Sequence, residues 1–492
     1  MTEEIHQRGT GDLLKGISTV VGAILVNLVV GSIFGLCTLS VYEVSYIKGK
    51  VKDSFITIDH LAFYYPFEVM FQTLSSFLSG IIEKKLGLHL TNLIGFTILG
   101  LGYFTMYLSQ NFFIDILSMI LGGIGTGIIY YPSTKNACLW FIEHNGIVIG
   151  VIETMISLGS FIFALMGEYI INPNEAESHE DDQLYDLEVG EKIKIFLLVD
   201  IACIVGVYIL SFFLMHIKKE EKANTQNDKN IEMASKQNIQ DGLLVYEGDT
   251  TEEESDSSKH NKENKSAQIK SFKKMIKVAI KSKRLIIYAI ISIFACQGPS
   301  MVFTLYRGIG EYYKISTNTL QNIGSYNFIF ECLSGIIVGV LCDYVNLKFI
   351  LLTLGLANTT LIYTYCFTFK NDYAFFWSTN LQSFFNGGIF PFNDCYLMKV
   401  FGTDIYIELI GYISFVTNLF VVALSPLAYL VETKLEVKDN AFWILFTVFG
   451  SFNLVSLVLS FFINAEPFNY DERLGLVKDK TERSSINNTE YN

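Results

Sequence analysis

Apolar residues fill six long stretches of this chain, break off for a polar gap over 218–284, and resume in six more. The stretches fall at 17–40, 60–82, 89–108, 113–134, 146–171, 194–217, 285–306, 319–341, 348–369, 373–397, 406–431 and 441–464. Each is close to the roughly 20 residues that carry a helix across the hydrocarbon of a bilayer. Helices are the predicted form, because a span in lipid must satisfy its own backbone, and the alternation of a membrane barrel is missing. The pattern predicts an all-α membrane protein with 12 transmembrane helices in two six-helix bundles, 17–217 and 285–464. A linker over 218–284 joins them, with tails at 1–16 and 465–492.

Composition points the same way. The chain is 51% hydrophobic and 17% charged, short of the roughly one quarter charged residues of soluble proteins. Much of its net charge of −13 lies in the 172–192 loop and the C-terminal tail, so it reads as solvated segments and no nucleic-acid partner is expected. None of the eight cysteines forms a Cys-x-x-Cys pair, so neither a metal site nor a cofactor is expected. An even number of spans puts both termini on one side. The linker is flanked by Lys218, Lys219 and Lys222, then by Lys270, Lys273, Lys274, Lys277, Lys281, Lys283 and Arg284. Basic flanks mark the cytoplasmic face, which predicts cytoplasmic termini and linker. Residues 218–270 lack the apolar surface to offset ordering and are predicted disordered. Over 270–284 apolar residues interleave with lysines, which suits either a basic amphipathic helix on the inner leaflet or a solvated lead-in.

After the eighth stretch the chain reads Gly339-Val-Leu-Cys-Asp343-Tyr-Val-Asn-Leu-Lys348. This resembles the loop signature of the major facilitator superfamily, Gly-x-Leu-Ala-Asp-Arg-x-Gly-Arg-Lys. The matching place after the second stretch carries Gly80 and Gly87 at the same separation, with Lys84 where the Asp belongs. Two copies in corresponding halves suit transporters built from repeats. Further elements are Asn27-x-x-x-Gly31-Ser32 in the first stretch, the run from Gly122 to Tyr130-Tyr-Pro132, the pair Trp140-Phe141, and Gly146-x-x-x-Gly150. Together they are similar to the oxalate:formate antiporter and monocarboxylate transporter branch of that superfamily. Gly123 and Gly127, like Gly146 and Gly150, form small-xxx-small faces, which serve either static packing or helices that slide during rocking.

The chain also departs from that branch. The resemblance implies an arginine in the eighth span, and Gly335 stands there; the acid of monocarboxylate members, one turn earlier, is matched by Glu331. The lysine implied for the eleventh span is absent across Ser414–Ser425, where Thr417 and Asn418 are the polar residues. Without those cations a doubly charged anion such as oxalate is poorly accommodated.

Four acids are read at membrane depth: Glu68, Glu153, Asp200 and Glu331. Intramembrane carboxyls are costly and are functional candidates. Glu331 is the leading candidate for a coupling or substrate role, since taking a carboxyl out of water favours its neutral, proton-carrying form. Glu153 fits either that role or a bond to a neighbouring helix. Glu68 and Asp200 lie nearer the outer ends and read as solvated. Asn27, Tyr130, Gln297, Asn386 and Asn418 are candidates for a midplane cavity, or for helix–helix hydrogen bonds. Lys135 reads as a topological or gating charge.

The expectation is therefore a monomeric, non-enzymatic transporter of a small-molecule solute, working by alternating access in a lipid bilayer. No Gly-x-x-x-x-Gly-Lys-Ser/Thr motif is present, so a gradient is the expected energy source, through uniport, antiport or symport with protons as a candidate coupling ion. A small monocarboxylate-type anion is the favoured cargo. Amino acids or another zwitterionic or cationic solute are the alternative, and a sensor or scaffold using the linker is a second.

Overall fold

The computed structural model describes residues 2–51, 63–174, 176, 184–218, 272–433, 438–468 and 470. The first half holds α1 (Thr2–Val51), α2 (Tyr64–Leu86), α3 (Leu88–Tyr107), α4 (Phe112–Trp140), α5 (Asn145–Ile171) and α6 (Ile193–Leu214). The second holds α7 (Lys283–Tyr312), α8 (Thr317–Tyr344), α9 (Leu347–Tyr365), α10 (Asp372–Gly387), α11 (Ile389–Phe401), α12 (Tyr406–Thr433) and α13 (Lys438–Ser460). The predicted tail 1–16 is instead helical from Thr2 and continuous with the first span, which also runs on to Val51. Most of the predicted disordered linker lies outside the described residues.

Local chemistry sets the helix ends. Asn111, Ser282, Ser316, Asn346 and Asn371 each accept an N–H of the first turn that follows them, the usual work of N-cap side chains. Gly87 (φ 82°) turns α2 into α3, and Gly402 (φ 87°) turns α11 into α12. The left-handed backbone at both places favours glycine.

Ten helices among the described residues are long and apolar enough to cross a membrane. The other two spans of the predicted twelve depart for identifiable reasons. In α2, Ser75 and Ser76 turn inward to the carbonyls of Gly123 and Gly127 on α4 (3.4 and 3.3 Å), so its polar residues face protein. The tenth span is broken into α10 and α11 around Gly388, where Pro391 withholds the N–H that would bond back to Gly387.

One face of the molecule, here the linker face, gathers the ends of α2, α4, α6, α8 and α11 with the starts of α3, α5, α7, α9 and α12. The residues 272–280 form a helix there. Its Phe272, Met275, Ile276 and Val278 pack on the protein core, with Lys84 Nζ 3.1 Å above the Phe272 ring. The apolar stripe of this segment thus turns to protein and only its lysines face outward.

Candidate functional site

The two bundles meet on the linker-face side through α5 against α8 and α2 against α12. The α5–α8 contact is made by glycines. A Cβ on Gly150 would stand 2.5 Å from the Gly335 carbonyl and 2.9 Å from Gly339 Cα; one on Gly146 would stand 2.5 Å from the Gly339 carbonyl. Gly335, the place where the branch carries its arginine, is itself in this seam, with Thr154 Oγ1 2.5 Å from any Cβ. The close crossing leaves no room for an arginine. Across α2–α12, Gly80 faces Glu408 and Gly411 faces the backbone of Phe77. Gly123 and Gly127 do their packing inside the first bundle, against the carbonyls of Glu68 and Gln72.

Ion pairs lock the same seam. Asp343 accepts the N–H groups of Gly146 and Ile147 (both 2.9 Å) and pairs with Lys399 Nζ at 3.0 Å. A carboxylate from one bundle thereby sits on the positive end of a helix of the other. In the first-half copy the polarity is swapped. Lys84 replaces the Asp and donates to the Asp404 carbonyl (2.5 Å), while α12 carries its own acid, Glu408, in its first turn. Lys135, on the α4 end, pairs with Glu83 at 3.6 Å, as Lys399 on α11 pairs with Asp343. Lys348 ties α9 to the Phe461 carbonyl. We expect Asp343→Ala to free the start of α5. Hydrogen exchange at the Gly146 and Ile147 amides should speed up by roughly tenfold or more, the worth of one charge-assisted bond; unchanged exchange would deny Asp343 this capping role.

Deeper between the bundles, Glu331 accepts a hydrogen bond from Ser157 of α5 (3.1 Å), and Thr154 donates to the Cys332 carbonyl (3.2 Å). Gly387 of α10 packs on Glu331, with 3.0 Å from a Cβ to its Cα. Phe161 and Phe328 meet at 5.8 Å one turn further out. Glu331 is only partly buried, and Tyr65 of α2, half exposed, lies within its electrostatic reach. Groups from α2 and α5 of one bundle and α10 of the other thus converge on one carboxyl of α8.

A second group lies nearer the linker face. Tyr130 donates to Glu153 Oε2, and its ring stacks near that of Tyr131 at 4.0 Å. Tyr131 reaches Ser414 of α12 at 3.4 Å and its ring lies 6.1 Å from that of Tyr406. Asp394 of α11, 2% exposed, is in hydrogen-bonding contact with Glu153. Sequence reasoning passed over Asp394 and Tyr406; a useful signal was Asp394 three residues after Pro391, inside a predicted span.

The remaining candidates are placed as follows. Asn27 and Gln297 are fully buried and donate to carbonyls of their own helices, Ala23 (2.9 Å) and Ile293 (3.0 Å). Asn386, beside Gly387, and Asn418 are partly buried. Glu68 and Asp200 are not solvated as expected: both are 0% exposed. Gly123 of α4 packs on the backbone carbonyl of Glu68, and Asp200 faces Tyr103, which is bonded to Ser32. The structure adds a buried pair of its own, Glu43 of α1 with Lys194 of α6 at 2.6 Å, beside Asp115, which accepts the Tyr64 hydroxyl at 2.7 Å. Among the described residues no group of three or more His, Cys, Asp or Glu is placed to hold a metal ion.

Comparison with known proteins accords with this architecture. The fold matches the proton:xylose symporter XylE bound to 6-bromo-6-deoxy-D-glucose, with a TM-score of 0.64 and 12% identity over 93% of this chain and 98% of that one. It also matches the E. coli fucose:proton symporter FucP, with a TM-score of 0.59 and 11% identity over 90% and 98%. Apicoplast pyruvate carrier 1 of Toxoplasma gondii is 25% identical over 37% of this chain. The match spans 41% of that carrier's length. The family model described as Major Facilitator Superfamily matches twice, at residues 24–309 and 288–481. The chain therefore belongs to the major facilitator superfamily, and is a multi-pass membrane transporter of a small-molecule solute.

Proposed function

We propose that this transporter carries a small monocarboxylate together with a proton, and that the linker face is cytoplasmic. The observation that carries the reading is Glu331, a carboxyl between the bundles that makes no salt bridge among the described residues and is held by Ser157. Ionised, it repels a carboxylate; protonated, it offers that carboxylate a hydrogen bond. Proton and monoanion together carry no net charge, so the pair crosses the membrane at far lower cost than the bare anion. The pyruvate carrier among the relatives, and the sequence elements shared with the monocarboxylate branch, support the same cargo class. The two bundles rock about Glu331, and the glycine seam of α5 and α8 closes one side in each cycle.

Uptake of labelled pyruvate, lactate, formate, pantothenate and amino acids into proteoliposomes, at two external pH values, tests this. Monocarboxylate uptake should rise at the lower pH. Glu331→Gln should lose that dependence and slow uptake by about tenfold, the worth of a hydrogen bond to a charged group. A Gln variant that transports normally and keeps its pH response would overturn the assignment. The same unpaired carboxyl favours one other reading, an amino acid whose ammonium group pairs with ionised Glu331. Preferential uptake of amino acids over every monocarboxylate in the panel would select it.

A further inference from the structure

We propose that Glu153 and Asp394 share a single proton that holds the linker face shut, a binding site distinct from Glu331 and independent of the solute carried. The two carboxyls come from opposite bundles, Glu153 from α5 and Asp394 from α11, and touch where the seam closes. They are 7% and 2% exposed. Glu153 Oε1 and Asp394 Oδ2 are buried and accept no donor among the described residues, whereas Glu153 Oε2 is served by Tyr130. One proton placed between the two carboxyls supplies the missing donor to both. The Tyr406 hydroxyl, on a fully buried residue of α12, also faces Asp394.

Among the described residues no uncommitted cation faces the pair to replace that proton. The titratable groups facing the pair are Tyr130, Tyr131 and Cys138 of α4, Tyr406 of α12 and Tyr288 of α7. Cys395 is the neighbour on α11 itself, and Cys342 and Asp343 stand behind it on α8. Lys399, further along α11, is committed to Asp343 and to the Cys342 carbonyl (2.7 Å). Two adjacent carboxylates in a dry site cannot both stay ionised. Closure of the linker face therefore requires one bound proton. When the bundles part there, water reaches both groups, the proton passes to it, and two separated carboxylates remain.

The sign of the linkage follows. The closed form binds one proton more than the open form, so closure is favoured at low pH and lost as pH rises. Spin labels on noncanonical residues at Leu86 of α2 and Phe349 of α9, exposed positions in opposite bundles, report the opening. In nanodiscs between pH 5 and 9, the closed-to-open ratio of the otherwise wild-type protein should fall by up to about tenfold per pH unit. Glu153→Gln, alone and with Asp394→Asn, should flatten that slope, while Glu331→Gln should keep it. A flat profile without these substitutions, or a full slope in Glu153→Gln, would overturn the proposal. Because no solute is present, failure of the monocarboxylate reading leaves this readout untouched.

Discussion

Gly150→Val is expected to abolish solute uptake while the protein still folds and inserts. The Cβ alone would stand 2.5 Å from the Gly335 carbonyl and 2.9 Å from Gly339 Cα. Both are backbone atoms, so no side chain can rotate away and the helices must separate. Overpacking of this kind costs about 1–3 kcal/mol. Separation also strips Asp343 of the Gly146 and Ile147 amides and Glu331 of Ser157, and hydrogen bonds to charged groups are worth about 1.5–3 kcal/mol each. The closed linker face should be depopulated by at least about a hundredfold, and a carrier that cannot close one side cannot complete a cycle. Gly206→Val is the control, because a Cβ there meets nothing within 4 Å. It should change stability by no more than about 0.5 kcal/mol and leave uptake intact. Normal uptake by the Gly150 variant would mean that the α5–α8 seam is not part of the cycle.

Lys194→Met should destabilise the first bundle by about 3–5 kcal/mol, the usual cost of removing one partner of a buried pair. Lys194 serves two acids at once, Glu43 at 2.6 Å and Asp115 beyond it, and both are 0% exposed. Its Nζ also donates to the Met106 carbonyl at 2.9 Å and lies over the Tyr46 ring. Methionine keeps the length of the side chain and removes the charge, so the loss is electrostatic. Thermal unfolding in detergent should show a drop of roughly 2–4 °C per kcal/mol lost. Adding Glu43→Gln should recover part of it, because the orphaned charge is then gone. A melting temperature unmoved by Lys194→Met would show that the acids are satisfied without it.

Hydropathy alone made the helical spans legible, and two cases show where that reading thins. By apolarity α2 falls short, since Ser75, Ser76 and Ser79 are polar; only the docking of α2 on α4 shows that Ser75 and Ser76 face carbonyls of α4 and not lipid. The tenth span reads as one run, and Gly388 with Pro391 breaks it. The loop signature was legible as a motif in both halves, but not its polarity: that Lys84 faces Glu408 where Asp343 faces the start of α5 depends on which helix crosses which.

Buried charge was read least well. Glu43 lies beyond the predicted end of the first span, at residue 40, so it read as a loop residue until α1 proved to continue to Val51. Glu68 and Asp200 sit near span ends, where a carboxylate ordinarily reaches water, and neighbouring helices cover them instead. Asp394 lies inside the predicted tenth span and was passed over.

Periodicity and composition belong to the chain itself, because the free energy of placing a residue in lipid or water depends mainly on that residue and its near neighbours. They determined the membrane class, the number of spans, the 6+6 division and the glycine faces. Partnership does not belong to the chain in this sense. Which carboxyl meets which, Glu153 with Asp394 or Glu43 with Lys194, is decided only when helices distant in sequence are brought together. In that dry interior a contact of a few ångströms outweighs everything that sequence position implies about exposure.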